Sequence, residues 1–68
     1  MKTTYYIVAV RYDGPWEMHF GDYDRDVANE EREAWLDATN RGRKDAQVFR
    51  LDNDTQSAID AKIKELNA

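Results

Sequence analysis

The stretch that decides the fold is residues 5–12, which read Tyr-Tyr-Ile-Val-Ala-Val-Arg-Tyr. Successive side chains of a β-strand point to opposite faces of the sheet. One face therefore receives Tyr6, Val8, Val10 and Tyr12, and the other receives Tyr5, Ile7, Ala9 and Arg11. Both faces are largely apolar, so we expect this strand to lie at the centre of its sheet.

The remaining segments predict the order ββαβα. Asp13-Gly14-Pro15 predicts a turn, because glycine tolerates positive φ and proline cannot continue a central ladder. A second strand is expected over about 16–20 and a third over about 46–51. Helical periodicity and capping residues predict helices over about 22–40 and about 55–67.

The turn predicts the register of the first two strands. A three-residue turn pairs Tyr12 with Trp16, Val10 with Met18, and Val8 with Phe20, which places all six side chains on one face. A two-residue turn would bring Glu17 and His19 to that face instead, because a slip by one residue exchanges the faces. We therefore expect the three-residue turn.

Each predicted helix has an apolar stripe and candidate caps. The stripe of the first helix is expected at Tyr23, Val27, Ala34 and Ala38, with Trp35 beside it and Leu36 on the opposite side; that of the second is expected at Ile59, Ile63 and Leu66. The expected caps are Asp22 or Asp24 before the first helix, Gly42 after it, and Asp52, Asn53 or Asp54 before the second.

These elements predict a single α+β domain over residues 1–68, with a three-stranded sheet in the order 2-1-3. The third strand would run parallel to the second after a right-handed crossover. Both helices are expected on the face formed by Tyr6, Val8 and Val10, because so short a chain has little material to cover a second face.

An uncovered sheet face would be the natural place for a partner. Its apolar centre and charged rim would resemble a protein interface, and exposed apolar patches commonly mark one. The expected partner-binding residues are Tyr5, Ile7, Ala9, Arg11, Glu17, His19, Val48 and Arg50. The partner could be another protein or a second copy of the chain, and the edge strands could also pair with another chain.

Composition excludes some of the functional classes to which the protein could belong. The formal net charge is −4, which disfavours general nucleic-acid binding. Residues 22–37 contain seven acids and two bases, a charge of −5, so the rest of the chain sums to +1. There is no cysteine and no apolar run that approaches the roughly 20 residues of a membrane span, so we expect a cytoplasmic protein without membrane contact.

No residue pattern indicates an enzyme, a cofactor or a metal. His19 is the only histidine and has no serine or carboxylate at a motif spacing. Asp22, Asp24, Asp26 and Glu33 match four positions of a calcium loop, but Val27 occupies the position that requires glycine. Helix capping explains the same acids.

Two charged features have more than one interpretation. Glu31 falls within the expected apolar stripe, so it must either find a partner or extend past the sheet edge. Arg41-Gly42-Arg43-Lys44 is a basic turn that complements the negative end of a helix dipole. The same turn could contact a nucleic-acid backbone.

The stretch Trp16-Glu17-Met18-His19-Phe20-Gly21-Asp22-Tyr23-Asp24-Arg25, followed by Val27 and Glu30-Glu31, resembles a pattern in small uncharacterised phage and prophage proteins. The ending with Ile59, Ile63 and Leu66-Asn67 is similar too. The resemblance implies an accessory protein that binds one host protein and alters its activity. No active-site residue carries over from it. An acidic DNA mimic and a homodimer remain as alternative expectations.

Overall fold

The computed structural model describes residues 4–68. It contains five principal elements: β1 (Tyr5–Arg11), β2 (Trp16–Asp22), α1 (Arg25–Thr39), β3 (Ala46–Leu51) and α2 (Gln56–Leu66). A short 3-10 turn, Arg43–Asp45, precedes β3. The predicted α+β fold and the succession ββαβα are confirmed.

The three strands form one sheet in the order β2-β1-β3, as predicted. β1 is antiparallel to both neighbours, so β2 and β3 run parallel to each other on its two sides. The apolar run in β1 suits its central position, because Val8 and Val10 on one face and Ile7 and Ala9 on the other are all buried.

The register of β1 and β2 was predicted correctly at one end only. Val8 lies opposite Phe20 as expected, but Ala9 lies opposite Met18, so His19 is an extra residue in β2. Such a β-bulge shifts the pairing by one residue. Arg11 then lies opposite Trp16, and residues 12–15 form a four-residue connection in place of the predicted three.

The two helices lie on opposite faces of the sheet, so the expectation of both on one face is wrong. α1 packs on Val8 and Val10 in the larger core cluster, whereas α2 places Ile59 against Ile7 and Leu51. The physical reason lies in β1 itself. Both of its faces are apolar. The apolar stripe of α2 packs on the second face and so removes it from water.

The faces of β3 are also reversed, since the sequence predicted Phe49 toward the core and Val48 and Arg50 on the uncovered face. Cross-strand partners share a face, and Val48 lies opposite Val8, which places it toward α1. Phe49 lies opposite Ile7, on the face that α2 covers. Residues 47–51 read Gln-Val-Phe-Arg-Leu, which is apolar at positions of both parities, so alternation alone could not assign the faces.

α1 is rotated from its expected orientation. Ala28, Trp35 and Leu36 are its buried residues, whereas Val27 is 36% exposed. A shift of one residue corresponds to about 100° around a helix. The observed orientation buries Trp35 and Leu36 together, and these two side chains remove more apolar surface from water than the alanines of the predicted stripe.

The predicted caps are partly confirmed. Asp24 caps α1, with its side chain accepting a hydrogen bond from the Asp26 amide. The left-handed residue after α1 is Asn40, at φ 55°, rather than Gly42. Asparagine tolerates this conformation better than most residues do. Thr55 caps α2 by accepting from the Ala58 amide, so the cap lies one residue beyond the predicted group.

Candidate functional site

The uncovered sheet face that the sequence predicted is absent from the fold. α2 covers it, and the side chains at its expected centre, Ile7 and Ala9, have no solvent exposure. A partner could reach these two residues only after α2 had separated from the sheet. They are therefore core residues of the folded domain.

Two further residues of the predicted surface are engaged within the chain. Tyr5 is half-buried, packs edge-on against Tyr23 with ring centroids 4.9 Å apart, and fills the space beside Gly21 that a Cβ atom would need. Arg11 donates from Nε to Asp45 Oδ1 at 2.9 Å. Its guanidinium also lies 4.7 Å from the centre of the Trp16 ring.

Glu17 and His19 are exposed on β2, at the opposite edge of the sheet from β3. His19 Nε2 lies 3.1 Å from Glu31 Oε1, which gives the carboxylate in α1 a polar partner. Glu31 is thus at the margin of the core rather than inside it, because α1 is rotated from its expected orientation.

The last two predicted residues, Val48 and Arg50, lie on β3 and face α1. The eight predicted residues are therefore divided between both faces and both edges of the sheet. The structure does not bring them together on one surface. Val48 and Arg50, however, border a groove that the sequence had not indicated.

The groove lies between α1 and β3 and has a volume of about 470 Å³. This volume falls within the range of sites that hold small molecules or short segments of chain. Its lining residues are mostly polar or cationic: Tyr6, Arg25, Asn29, Arg32, Gln47, Val48 and Arg50.

α1 supplies one wall of the groove through a regular spacing. Arg25, Asn29 and Arg32 are separated by four and three residues, and this spacing aligns side chains on one stripe of a helix. Leu36 continues this stripe one turn further on and is buried, and Ala28 and Trp35 pack in the core beside it. The rotation that buries Leu36 therefore also turns this polar stripe toward β3.

Arg32 fixes α1 against β3. Its Nε donates to the Ala46 carbonyl at 2.6 Å, its Nη2 to the Arg43 carbonyl at 2.9 Å, and its Nη1 to Glu33 at 3.3 Å. The side chain is only 14% exposed. A guanidinium has five N–H donors, and these contacts within the chain use three of them.

Arg25 and Arg50 differ from the other arginines in that their guanidinium groups contact no carboxylate in the described part of the chain. Both are exposed, and within residues 4–68 neither forms an ion pair. In the basic turn, by contrast, Arg41 pairs with Asp13, and Arg43 pairs with Glu33 at 2.7 Å. The arginines of the basic turn are thus engaged, as is Arg32, whereas Arg25 and Arg50 are available.

The charge of the groove opposes that of the rest of the protein. Within residues 4–68, three arginines and no acid line it, so this part of the lining carries +3. The chain as a whole carries −4, which leaves −7 on all other residues. A concave surface that concentrates one sign of charge attracts ligand groups of the opposite sign.

The acids near the start of α1 have a structural role. Asp22 Oδ1 accepts from the Asp24 amide, and Asp24 Oδ1 accepts from the Asp26 amide, both at 2.8 Å. Across the described part of the chain, no group of three or more histidines, cysteines or acids is arranged to hold a metal ion. In the same part, neither helix has the length and apolar character that a membrane crossing demands.

Sequence reasoning missed the groove because its arginines come from separate elements. Arg25 and Arg32 appeared only as two bases within an acidic helix, and Arg50 as part of a rim on the opposite face. The spacing from Arg25 through Asn29 to Arg32 was the one available signal. It could not be interpreted without knowing which side of α1 faces β3.

The fold and the groove define a small domain in which a three-stranded sheet lies between two helices and carries a cationic groove at one edge. No protein-family model, no curated protein and no solved structure matches this chain. The groove itself is therefore the basis for a functional proposal.

Proposed function

We propose that this chain is a non-enzymatic protein-interaction module that docks on another protein through the groove between α1 and β3. One observation carries the proposal. Arg25 and Arg50 are exposed and form no ion pair within residues 4–68, although the protein around them is acidic. Exposed cations beside a concave surface can pair with carboxylates of a partner.

The chemistry of the lining supports binding rather than catalysis. The polar side chains of the groove offer mainly N–H donors, from three guanidinium groups and two amides. Among residues 4–68 the lining contains no carboxylate, imidazole or thiol, and its hydroxyl group is the phenol of Tyr6. Such a lining holds an anionic group without transforming it.

The charge distribution favours a protein partner over a nucleic acid. A duplex presents a continuous row of phosphates, which would meet the −7 that lies outside the groove. A protein with a local acidic segment avoids this repulsion. The resemblance to phage and prophage proteins suggests that the partner is a bacterial host protein in the cytoplasm. The docked chain would alter the activity of that protein because it blocks part of its surface.

A pull-down from bacterial lysate tests the proposal. The tagged wild-type chain is compared with Arg25→Glu/Arg50→Glu and with Lys44→Glu/Lys64→Glu. The control pair changes the charge equally at two exposed sites outside the groove. We expect one protein to be retained by the wild type and the lysine variant, with or without nuclease, and lost by the arginine variant.

Equal retention by all three folded proteins would contradict the proposal. Retention that disappears after nuclease treatment would indicate a nucleic-acid partner instead. Circular dichroism of each variant establishes that charge reversal has not unfolded it. The milder pair Arg25→Gln/Arg50→Gln is used if the glutamate variant does unfold.

The homodimer remains the second candidate, because β2 and β3 are both edge strands of the sheet. An unpaired edge can pair with the same edge of a second copy. Light scattering separates the two functions, since a dimer has twice the mass of the 8.0 kDa chain. A monomer at the concentration of the pull-down would exclude the dimer as the active form.

A further inference from the structure

We infer that the occupant of the groove is an extended acidic segment of the partner, which adds to the sheet as a fourth strand beside β3. This inference rests on the proposed function and specifies the chemistry of its ligand. It rests on two neighbouring features, the free edge of β3 and the available arginines beside it, Arg25 and Arg50.

The edge of β3 offers backbone hydrogen bonds. Among residues 4–68, β3 pairs with β1 alone. In an antiparallel pair, alternate residues direct their N–H and C=O groups away from the neighbouring strand. Ala46 is buried and its carbonyl already accepts from Arg32, so the residues that remain for an added strand are 47–51, a ladder about 17 Å long.

The geometry of an added strand determines which of its side chains enter the groove. Every second side chain would point to the side of the sheet that carries α1. These side chains would meet Arg50 on β3 and Arg25 on α1, both of which line the groove. An arginine binds a carboxylate through two parallel hydrogen bonds, so acids are favoured at these positions.

The intervening side chains would point to the side of α2. There they would lie beside Phe49, which is half-buried, faces that side and has Lys62 Nζ 5.4 Å from its ring centre. An apolar side chain would extend this contact. The structure thus specifies a segment in which acidic and apolar residues alternate.

Other anions satisfy only part of this arrangement. Inorganic phosphate can engage the arginines but has no backbone to pair with β3. A nucleic acid likewise lacks the peptide N–H groups that a strand edge requires, and it meets the acidic remainder of the surface. An extended acidic peptide is the class of ligand that uses both the edge and the arginines.

Nuclear magnetic resonance with ¹⁵N-labelled protein tests the inference. The probe is a short capped peptide of alternating glutamate and valine, and its matched control has glutamine at each glutamate position. We expect saturable shifts of amide signals within Ala46–Leu51, and slower hydrogen exchange of the outward-facing amides there. Loss of two charge-assisted pairs should weaken binding by about tenfold or more for the glutamine peptide.

The same titration is repeated with the variants of the pull-down. Arg25→Glu/Arg50→Glu should bind the glutamate peptide about tenfold or more weakly than the wild type, and Lys44→Glu/Lys64→Glu should bind it as the wild type does. Inorganic phosphate and a single-stranded oligonucleotide serve as competing probes, and neither should slow exchange in β3.

Three results would overturn the inference: absence of shifts in β3 at millimolar peptide, equal affinity for the glutamate and glutamine peptides, or tighter binding of phosphate or oligonucleotide than of the peptide. If arginine-dependent capture of a protein persisted in the pull-down, only the strand-addition mode would fail. Loss of arginine dependence there would remove the proposed function as well.

Discussion

Each face of the sheet is covered by one helix, but the two faces bury different numbers of apolar side chains. On the α1 face, Val8 and Val10 join a cluster that also buries Trp35 and Leu36. On the α2 face, the buried cluster within residues 4–68 is smaller and consists of Ile7, Leu51 and Ile59. A 68-residue chain can thus cover both faces of a central strand, but it does so unequally.

The polar contacts that fix the helices differ in the same way. On the α1 side, Arg32 binds the carbonyl groups of Ala46 and Arg43 and leaves a groove beside the edge of β3. On the α2 side, Asn67 binds the N–H and C=O groups of Trp16 at the start of β2. The α1 face therefore carries the candidate binding site, whereas the α2 face completes the burial of the core.

The largest expected effect comes from a charge placed under α2. Ile7→Asp puts a carboxylate where the side chain has no exposure, at a cost of several kcal/mol. A domain of this length has a total stability of about 3–10 kcal/mol, so we expect the variant to be unfolded. Circular dichroism and urea unfolding provide the measurement.

Glu17→Lys, an exposed change on β2, is the control for that variant and should stay folded. If Ile7→Asp also kept the native spectrum and the wild-type urea midpoint, α2 would not cover this face. The comparison between the two faces would then fail, and the surface predicted from the sequence would be open.

A second variant measures the packing of the α1 face. Leu36 is 7% exposed, so Leu36→Ala should lower the free energy of unfolding by about 2–5 kcal/mol. Val27 is 36% exposed, and Val27→Ala should cost less than about 1 kcal/mol. Urea midpoints of both variants test the rotation of α1, and the opposite ranking would support the stripe that periodicity predicted.

A smaller effect is expected where α2 is tied to β2. Asn67→Ala removes two hydrogen bonds to Trp16 and should lower the free energy of unfolding by about 1 kcal/mol. Lys64→Ala, at an exposed position of α2, should change it by less than about 0.5 kcal/mol. Equal urea midpoints for the two variants would show that these bonds do not contribute to holding α2 on the sheet.

The smallest expected effect on stability depends on pH and comes from Asp13, in the connection between β1 and β2. A hydrogen bond from Arg41 holds the pKa of the Asp13 carboxyl below its ordinary value of 3.8. Because the pKa is lower in the folded state, the pair stabilises the protein above pH 3.8, and this contribution is lost as the pH falls through the folded-state pKa.

Asp13→Asn should therefore lower the urea midpoint slightly at neutral pH, and the difference from the wild type should shrink as the pH falls below 3.8. In an Arg41→Gln background, the same substitution should produce no such pH-dependent difference. A difference that persisted in that background would assign the effect to a group other than Arg41.

The candidate site was only partly accessible to sequence reasoning. Val48 and Arg50 were predicted to bind a partner and do lie at the groove, but they face α1 rather than an open surface. Arg25 and Arg32 were not recognised as site residues, because their role depends on the rotation of α1. That rotation follows from the competition between Val27 and Leu36 for the core, which local periodicity does not resolve.

The strands and helices, their order and the central position of β1 could be predicted from the sequence. These depend on local patterns: the unbroken apolar run in β1, helical spacing in α1 and α2, and the turn at Asp13-Gly14-Pro15. Only the tertiary structure decided which face each helix covers, where the bulge at His19 falls and where cations of different elements meet. These outcomes depend on the total apolar surface buried by all elements together, which is a property of the packed chain and not of any one segment.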